Sequence, residues 1–157
     1  MKSEYINPFL DSVSHVLKEI SNLESNRGTL RLKNDREPFR DVSIIFGVIG
    51  DLRGQIIYGF DESTAKSVVS RMMSGAEVNE FNAMEESALG ELGNIITGKA
   101  SIAVETAGYS INFSPPTLII AKNPYISSLR IPMMVVPFET EVGIIDLFIG
   151  LEKRTKK

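Results

Sequence analysis

Apolar residues at the start of the chain recur at the spacing of an α-helix. From Ile6 to Leu23 they return every three or four positions and form one apolar stripe. Asn7 and Pro8 are typical of a helix start, because Asn caps the first turn and Pro gives up an N–H that would have no partner there. The pattern predicts a helix from Asn7 to about Leu23, with His15 just off the stripe as a surface or boundary residue.

The spacing changes to that of β-strands after the first helix. Thr29–Lys33 alternates between apolar and polar residues, and Val42–Ile49 is rich in β-branched residues. Turn-forming residues occupy positions 51–54, and Gln55–Phe60 alternates again. Val42–Phe60 is therefore predicted to form a β-hairpin whose apolar residues cover at least one face of a sheet.

Two further helices are predicted after the hairpin. Acidic and hydroxyl residues at Asp61–Thr64 indicate a helix start, and Ser74–Gly75 indicates its end. A longer helix is expected over Glu80–Thr106, with Gly108 just beyond its last turn. The spacing of its large residues predicts a buried face made of Phe81, Met84, Ala88, Leu89, Leu92, Ile95, Ile96 and Ala103.

The last third of the chain is predicted to form strands. The segments are Ser110–Phe113, Leu118–Ala121, Leu129–Glu139 and Glu141–Leu151, and the last two form a hairpin with its turn at 140–143. The order is therefore helix, strands, two helices, strands, which favours an α+β fold with helices packed on a largely antiparallel sheet. Because no repeat or low-complexity linker divides the chain, residues 1–157 are expected to form a single domain.

Composition narrows the classes of function. The 157 residues carry a formal net charge of -3, so the excess positive charge that nucleic-acid binding requires is missing. The chain has no cysteine, which excludes disulfides, thiol nucleophiles and zinc–thiolate sites, and its single histidine argues against a catalytic triad. No apolar run approaches the roughly 18 residues of a membrane span, and the first residues do not form a secretory signal. We expect a soluble, cytoplasmic protein.

Polar residues line up on the side of the long helix opposite its predicted apolar face. Ser87, Glu91 and Asn94 are spaced i, i+4 and i+7, which places their side chains along one line. We call this line the polar ridge, and its predicted members are Glu80, Ser87, Glu91, Asn94, Gly98 and Glu105. On spacing alone such a line is usually a solvated surface, and a binding site is the less common alternative.

Three glycines interrupt the same helix. Gly90, Gly93 and Gly98 each cost about 0.8–1 kcal/mol relative to alanine in a helix interior. Such a cost indicates close approach of another group, either the sheet beneath the helix or a partner above it. Periodicity leaves both explanations open.

The long helix resembles the signature helix of the CheC/CheX/FliY family of chemotaxis response-regulator phosphatases. That signature is Asp or Ser, three residues, Glu, two residues, Asn, and a proline somewhat over twenty residues later. Ser87, Glu91 and Asn94 fill the first three positions, and Pro115 or Pro116 lies near the fourth. The resemblance extends to Glu4–Phe9, Asp41–Gly47 and Pro132–Gly143. A single Glu-x-x-Asn motif is similar to the CheX type, since the CheC type usually carries two.

The resemblance implies an activity and a set of residues for it. The expected substrate is the aspartyl phosphate of a phosphorylated CheY-like receiver, which holds its own Mg²⁺, so this chain is expected to bind no metal or cofactor. Asn94 would orient the attacking water and Glu91 would contact the receiver lysine. Gly90, Gly98 and Pro116 would support the site, and Ser87 would either extend the contact or only solvate the ridge. Relatives of the CheX type also imply a homodimer joined through sheet edges.

Two other classes of function remain open at this point. One is a non-catalytic module that docks a receiver on the same ridge, and the other is an assembly component associated with the flagellar switch. Only the enzyme requires an amide at Asn94. A stand-alone hydrolase is least favoured, because the chain offers no nucleophile or metal cluster around which to build a pocket.

Overall fold

The computed structural model describes residues 1–126 and 130–155, which form three helices and eight strands. The predicted α+β order is confirmed, because helix, strands, two helices and strands follow one another along the chain. The elements are α1 Ser3–Ser21, β1 Asn26–Arg27, β2 Arg31–Leu32, β3 Val42–Gly50, β4 Leu52–Phe60, α2 Glu62–Met72, α3 Ala83–Thr106, β5 Ile111–Phe113, β6 Thr117–Ile120, β7 Met134–Thr140 and β8 Gly143–Lys153.

All eight strands belong to one antiparallel sheet. Its order is β1-β7-β8-β4-β3-β5. The short strand β2 pairs with β7 on the same edge as β1, and β6 pairs with β3 on the same edge as β5. Both predicted hairpins are confirmed: β3 joins β4 through a turn at Asp51, and β7 joins β8 where Thr140 pairs with Gly143. The long pairing of β4 with β8, from Leu52↔Lys153 to Phe60↔Ile145, brings the two hairpins together in the middle of the sheet.

The two faces of the sheet are covered differently. Alternate residues of the long strands β3, β4, β7 and β8 point toward the helices and join one large core, which includes Ile44, Phe46, Ile56, Tyr58, Leu147 and Ile149. The intervening residues face the other way, where Ile57, Val135 and Phe148 form a smaller cluster with Phe39 and Met133. The helices therefore lie on one face of the sheet only, and α3 is one of them.

The first helix begins earlier than predicted. It starts at Ser3 rather than Asn7, and Pro8 lies inside it. Tyr5 and Ile6 are only 3% and 4% exposed, so burying them extends the helix past the predicted start. The ring of Tyr5 also packs edge-on against Tyr109, with 5.1 Å between ring centroids.

Other predicted segments are shorter than expected. The alternation at Thr29–Lys33 yields only the two-residue strand β2, which β1 precedes. Both short strands pair with the outer edge of β7. The predicted strand Leu129–Glu139 begins at Met134, and its first residue lies outside the described residues. The prediction for α2 is confirmed, since Ser74 and Gly75 after its end both have positive φ. Within residues 1–126 and 130–155, no helix combines the length and apolarity that crossing a membrane requires.

Candidate functional site

The long helix α3 differs from its prediction mainly at its start. It follows Asn82, so Glu80 lies outside the polar ridge and Phe81 outside the buried face. It ends at Thr106 as predicted, and Gly108 takes the left-handed conformation (φ 103°) expected just after a helix. The helix is 24 residues long, so six to seven turns carry the candidate site.

The buried face of α3 includes four small residues, Gly90, Gly93, Thr97 and Ala100, which corrects the prediction. Leu89, Leu92 and Ile96 are buried as expected, but Met84 is 61% exposed and Ala103 is also exposed. Ala88 and Ile95 are only half-buried. The residues that meet the core are Glu85, Leu89, Gly90, Leu92, Gly93, Ile96, Thr97, Ala100 and Val104. The helix is rotated relative to the prediction because small side chains let its backbone approach the sheet.

Gly93 shows how close this approach is. A Cβ atom added there would lie 2.9 Å from Cε2 of Phe46 and 3.1 Å from Cγ2 of Ile44, both of which are fully buried. These distances are too short for any side chain, so the sheet explains this glycine. The sequence signal that was missed is the run Gly93, Thr97, Ala100, at i, i+4 and i+7.

One buried hydrogen bond fixes α3 on the sheet next to the ridge. The hydroxyls of Tyr58 on β4 and Thr97 on α3 lie 2.8 Å apart, and both residues are almost completely buried. Burial raises the pKa of Tyr58 well above its usual value, although the bond to Thr97 acts in the opposite direction. Thr97 lies between Asn94 and Gly98 in sequence, so this bond holds the turn of α3 that carries them.

The polar ridge lies on the open side of α3. Ser87, Glu91 and Glu105 are exposed, whereas Asn94 and Gly98 are half-buried. The side-chain hydrogen bonds that α3 forms within the described residues belong to Thr97, Lys99, Ser101 and Thr106. The Glu91 carboxylate has no cationic partner in that part of the chain. The carboxylate of Glu91 and the amide of Asn94 are therefore available to a second molecule.

The other two glycines have different surroundings from Gly93. A Cβ added at Gly90 would be 3.5 Å from Cγ of Pro116, an ordinary contact, and one added at Gly98 would be 4.0 Å from Cζ of Phe113. Pro116 is half-buried and packs against α3 at Gly90, whereas Pro115 is exposed. The fold itself therefore leaves room for a methyl group at both glycines.

A charged cluster joins α3 to α1 on the flank of the ridge. Nζ of Lys99 and Nε2 of His15 lie 3.1 Å and 2.9 Å from the same Glu19 oxygen, Oε2. The hydrogen bond from Lys99 lowers the pKa of the Glu19 carboxyl. His15 is on the surface, as predicted, and the positive charge of Lys99 is already paired. In residues 1–126 and 130–155, no three histidine, aspartate or glutamate side chains come together in an arrangement that could hold a metal ion.

Comparisons with known proteins identify relatives along nearly the whole chain. The family described as chemotaxis phosphatase CheX matches residues 42–139, a stretch that includes the polar ridge. The CheY-P phosphatase CheX of Thermotoga maritima is 30% identical over 139 residues, which cover 86% of this chain and 90% of that protein.

Solved structures agree with this result. A chemotaxis protein CheX from Desulfovibrio desulfuricans is 26% identical with a TM-score of 0.87, over 95% of this chain and 99% of that one. A CheX–CheY–BeF3–Mg²⁺ complex from Borrelia burgdorferi contains a chain that is 30% identical with a TM-score of 0.79, over 95% of this chain and 98% of that one. With the sequence match over residues 42–139, these likenesses establish that the chain belongs to the chemotaxis phosphatase CheX family.

Proposed function

We propose that this protein hydrolyses the aspartyl phosphate of a CheY-like receiver, using the polar ridge of α3. The observation that carries the proposal is that the exposed Glu91 carboxylate and the half-buried Asn94 amide lie on α3 in a chain of the CheX family, with no side-chain partner among the described residues. Both side chains lie one helical turn apart on the side of α3 turned away from the core. A helix that enters the active site of another protein needs this kind of surface.

Asn94 is proposed to orient the attacking water. Its carboxamide offers both an acceptor and donors, so it holds a water molecule without acting as a strong base. The water oxygen forms a bond to phosphorus while the bond from phosphorus to the receiver aspartate breaks. The water oxygen stays on phosphorus, so the phosphoryl group leaves as inorganic phosphate and the receiver regains its aspartate carboxylate. The water proton passes to phosphate or solvent. Because phosphoryl transfer depends mainly on positioning and charge stabilisation, ordering this water is a sufficient contribution from α3.

Glu91 is proposed to pair with the receiver lysine beside the phosphorylation site. Its carboxylate is exposed and has no cationic partner in the described part of the chain, so the pair forms without breaking an existing one. A charge-assisted contact of this kind contributes about 1.5–3 kcal/mol when water is excluded. In this proposal Glu91 sets the position of the receiver and Asn94 acts on the water. The receiver, rather than this chain, supplies the Mg²⁺.

The remaining residues are proposed to shape the surface. Gly98 lies one turn beyond Asn94 and places no side chain on the ridge there, although the fold leaves space for one above Phe113. The missing side chain lets a partner approach the helix backbone. Pro116 packs beside Gly90 and thereby supports the turn that carries Glu91. Ser87 is exposed one turn before Glu91 and extends the polar contact.

We also infer a homodimer and a location in the cytoplasm. The outer edges of β5 and β6 have no strand partner within residues 1–126 and 130–155, which supports joining two copies through a sheet edge. Receivers phosphorylated by kinases of chemotaxis pathways are cytoplasmic, which supports the location. Sedimentation of the purified protein tests the dimer.

The decisive experiment measures phosphate loss from receivers. Candidate receivers are phosphorylated on aspartate with Mg²⁺ present, and phosphate release is followed with and without the protein. Wild-type protein is expected to accelerate release, and Asn94→Ala is expected to lose that acceleration while still binding the receiver. Asn26→Ala, an exposed asparagine on the β1 edge, is the matched control and keeps full activity.

Two results would contradict the proposal. If no receiver loses phosphate faster with the wild-type protein, the enzyme assignment fails and a non-catalytic docking module becomes the better explanation. If Asn94→Ala retains wild-type turnover, the water-orienting role of Asn94 is wrong.

A further inference from the structure

Two large apolar side chains extend into solvent from the face of α3 that carries Glu91. Met84 is 61% exposed and Ile102 is 66% exposed. Met84 lies near the start of α3 and Ile102 near its end, so the two bracket the ridge residues from Ser87 to Gly98. Neither contributes to the core, so burial within this fold does not explain them.

The helix geometry aligns these two side chains. Eighteen residues separate Met84 from Ile102, which is five full turns of about 3.6 residues, so both project in the same direction. They stand about 27 Å apart along the helix axis. Glu91 projects within about 20° of the line that joins them. The three side chains therefore form one straight contact line rather than scattered surface residues.

The one charged group on the line between the two apolar residues is acidic. Glu91 is an exposed carboxylate between them, and Glu105 is another just beyond Ile102. The one lysine of α3, Lys99, is paired with Glu19. Along this contact line an apolar residue, Met84, is followed by the acidic Glu91 and then by the apolar Ile102. It fits a partner that presents a cation with apolar surface on either side.

We propose that Met84 and Ile102 are docking residues that seat the phosphorylated receiver on α3, one on either side of Glu91 and Asn94 along the helix. The inference rests on the proposed function and names the contacts that hold the substrate. A domain of about 100 residues has a radius of gyration near 13 Å and is therefore roughly 30 Å across, so one receiver reaches both residues. Two fixed contacts about 27 Å apart set the tilt of the receiver on α3, which one contact at Glu91 leaves free.

A second copy of this chain is a poorer occupant of the same surface. Packing two ridges against each other brings the Glu91 and Glu105 carboxylates of both copies together without cations to pair them. Like charges desolvated in an interface disfavour the contact, whereas the receiver lysine neutralises Glu91. The charge of the ridge therefore selects the receiver.

The test separates docking from chemistry. The variants are Met84→Gln, Ile102→Thr and the double variant, and the control is Ile49→Thr. Ile49 is 67% exposed on β3, on the face of the sheet turned away from α3. Affinity is measured by calorimetry for a CheY-type receiver loaded with beryllium fluoride and Mg²⁺, and KM and kcat are measured with the phosphorylated receiver.

Each single variant is expected to weaken binding about tenfold and the double variant about a hundredfold, because residues so far apart act independently. KM rises in step while kcat at saturating receiver stays within twofold, and Ile49→Thr behaves as wild type. If the wild-type protein shows no activity, the proposed function is overturned. The affinities of the variants for the receiver still test whether Met84 and Ile102 are docking residues. If wild-type protein is active but the variants bind as tightly as it does, the docking line is overturned. It is equally overturned if the variants only dissociate a dimer and leave receiver affinity unchanged.

Discussion

The hydroxyls of Tyr58 and Thr97 meet 2.8 Å apart in the interior, between the central strand β4 and the helix that carries the candidate site. Both residues are almost completely buried, so the bond forms where no water competes for either hydroxyl. Thr97 lies one turn after Asn94 on α3, about 60° from it around the helix axis, so the bond holds the turn that presents Asn94. Tyr58 thereby links the middle of the sheet to the position of the ridge.

Replacing Tyr58 with phenylalanine is expected to destabilise the fold. The change leaves the Thr97 hydroxyl buried without its partner, which costs about 1–3 kcal/mol in the free energy of unfolding. Adding Thr97→Val removes the orphaned hydroxyl and is expected to recover part of that loss. Urea denaturation of the two single variants and the double variant checks this. Strictly additive losses would show that the two hydroxyls do not interact.

Stability is expected to fall at alkaline pH because of the same residue. Burial raises the pKa of Tyr58 in the folded protein above its ordinary value near 10. Above about pH 10 the unfolded chain releases the tyrosine proton while the folded chain keeps it. The free energy of unfolding then falls by about 1.4 kcal/mol per pH unit for this group, and its contribution is fully present below pH 10.

Denaturation between pH 8 and pH 11 measures this slope. Tyr58→Phe should be less sensitive to alkaline pH than wild type, although it is less stable at pH 8. Tyr125→Phe, at a tyrosine that is 72% exposed, is the matched control. A wild-type slope that persists in Tyr58→Phe would mean that another group titrates.

The two glycines Gly93 and Gly98 are expected to respond in opposite directions to alanine. At Gly93 the new Cβ would lie 2.9 Å from the buried Phe46 ring, and overpacking costs about 1–3 kcal/mol. At Gly98 the nearest atom is 4.0 Å away, so alanine gains about 0.8–1 kcal/mol of helix propensity. Gly98→Ala is nevertheless expected to slow receiver dephosphorylation, because its methyl group rises into the ridge. Thermal unfolding and phosphate release check both effects, and full activity of Gly98→Ala would remove the need for a cleared surface there.

Glu91→Gln is expected to weaken binding of the receiver by about 10–100-fold, because a charge-assisted contact becomes a neutral one. The affinity of the wild-type protein should also decrease with added salt more steeply than that of the variant. Salt screens the ion pair between Glu91 and the receiver lysine, which only the wild-type protein forms. Glu86→Gln, at an exposed carboxylate of α3 outside the polar ridge, is the control for general loss of negative charge. Unchanged affinity and rate in Glu91→Gln would exclude this residue from the site.

Changes in hydrophobic spacing predicted most of the element order, because a helix and a strand bury residues at different intervals. Val42–Phe60, predicted from its β-branched residues and the turn at 51–54, is indeed a hairpin, and the turn between β7 and β8 lies at the predicted residues. The predicted start of α1 is wrong because Pro8, which is typical of a first helical turn, lies inside this helix. Burial of Tyr5, four residues into the chain, depends on Tyr109 more than a hundred residues later. Local pattern contains no information about such a contact.

The orientation of α3 shows the same limit more clearly. Large side chains predicted its buried face, yet Met84 is exposed while Gly93 and Thr97 are buried. A buried glycine leaves no apolar signal, because its contribution is to let backbone and sheet approach. The ridge residues Glu91 and Asn94 were nevertheless predicted on the open side, since polar residues at i and i+3 mark it directly. Their roles came from the family resemblance and stay predictions until the variants are tested.

The separation of small buried residues from ridge residues along α3 affects how this protein can diversify. The side chains of α3 that pack in the core and those that contact a partner protein belong to different residues. Exchanging the residues that contact the partner therefore leaves the interior unchanged. A gene duplicate can acquire a new signalling counterpart through a few external substitutions without a compensating repair inside. Specificity and thermal robustness are therefore free to evolve separately on this scaffold.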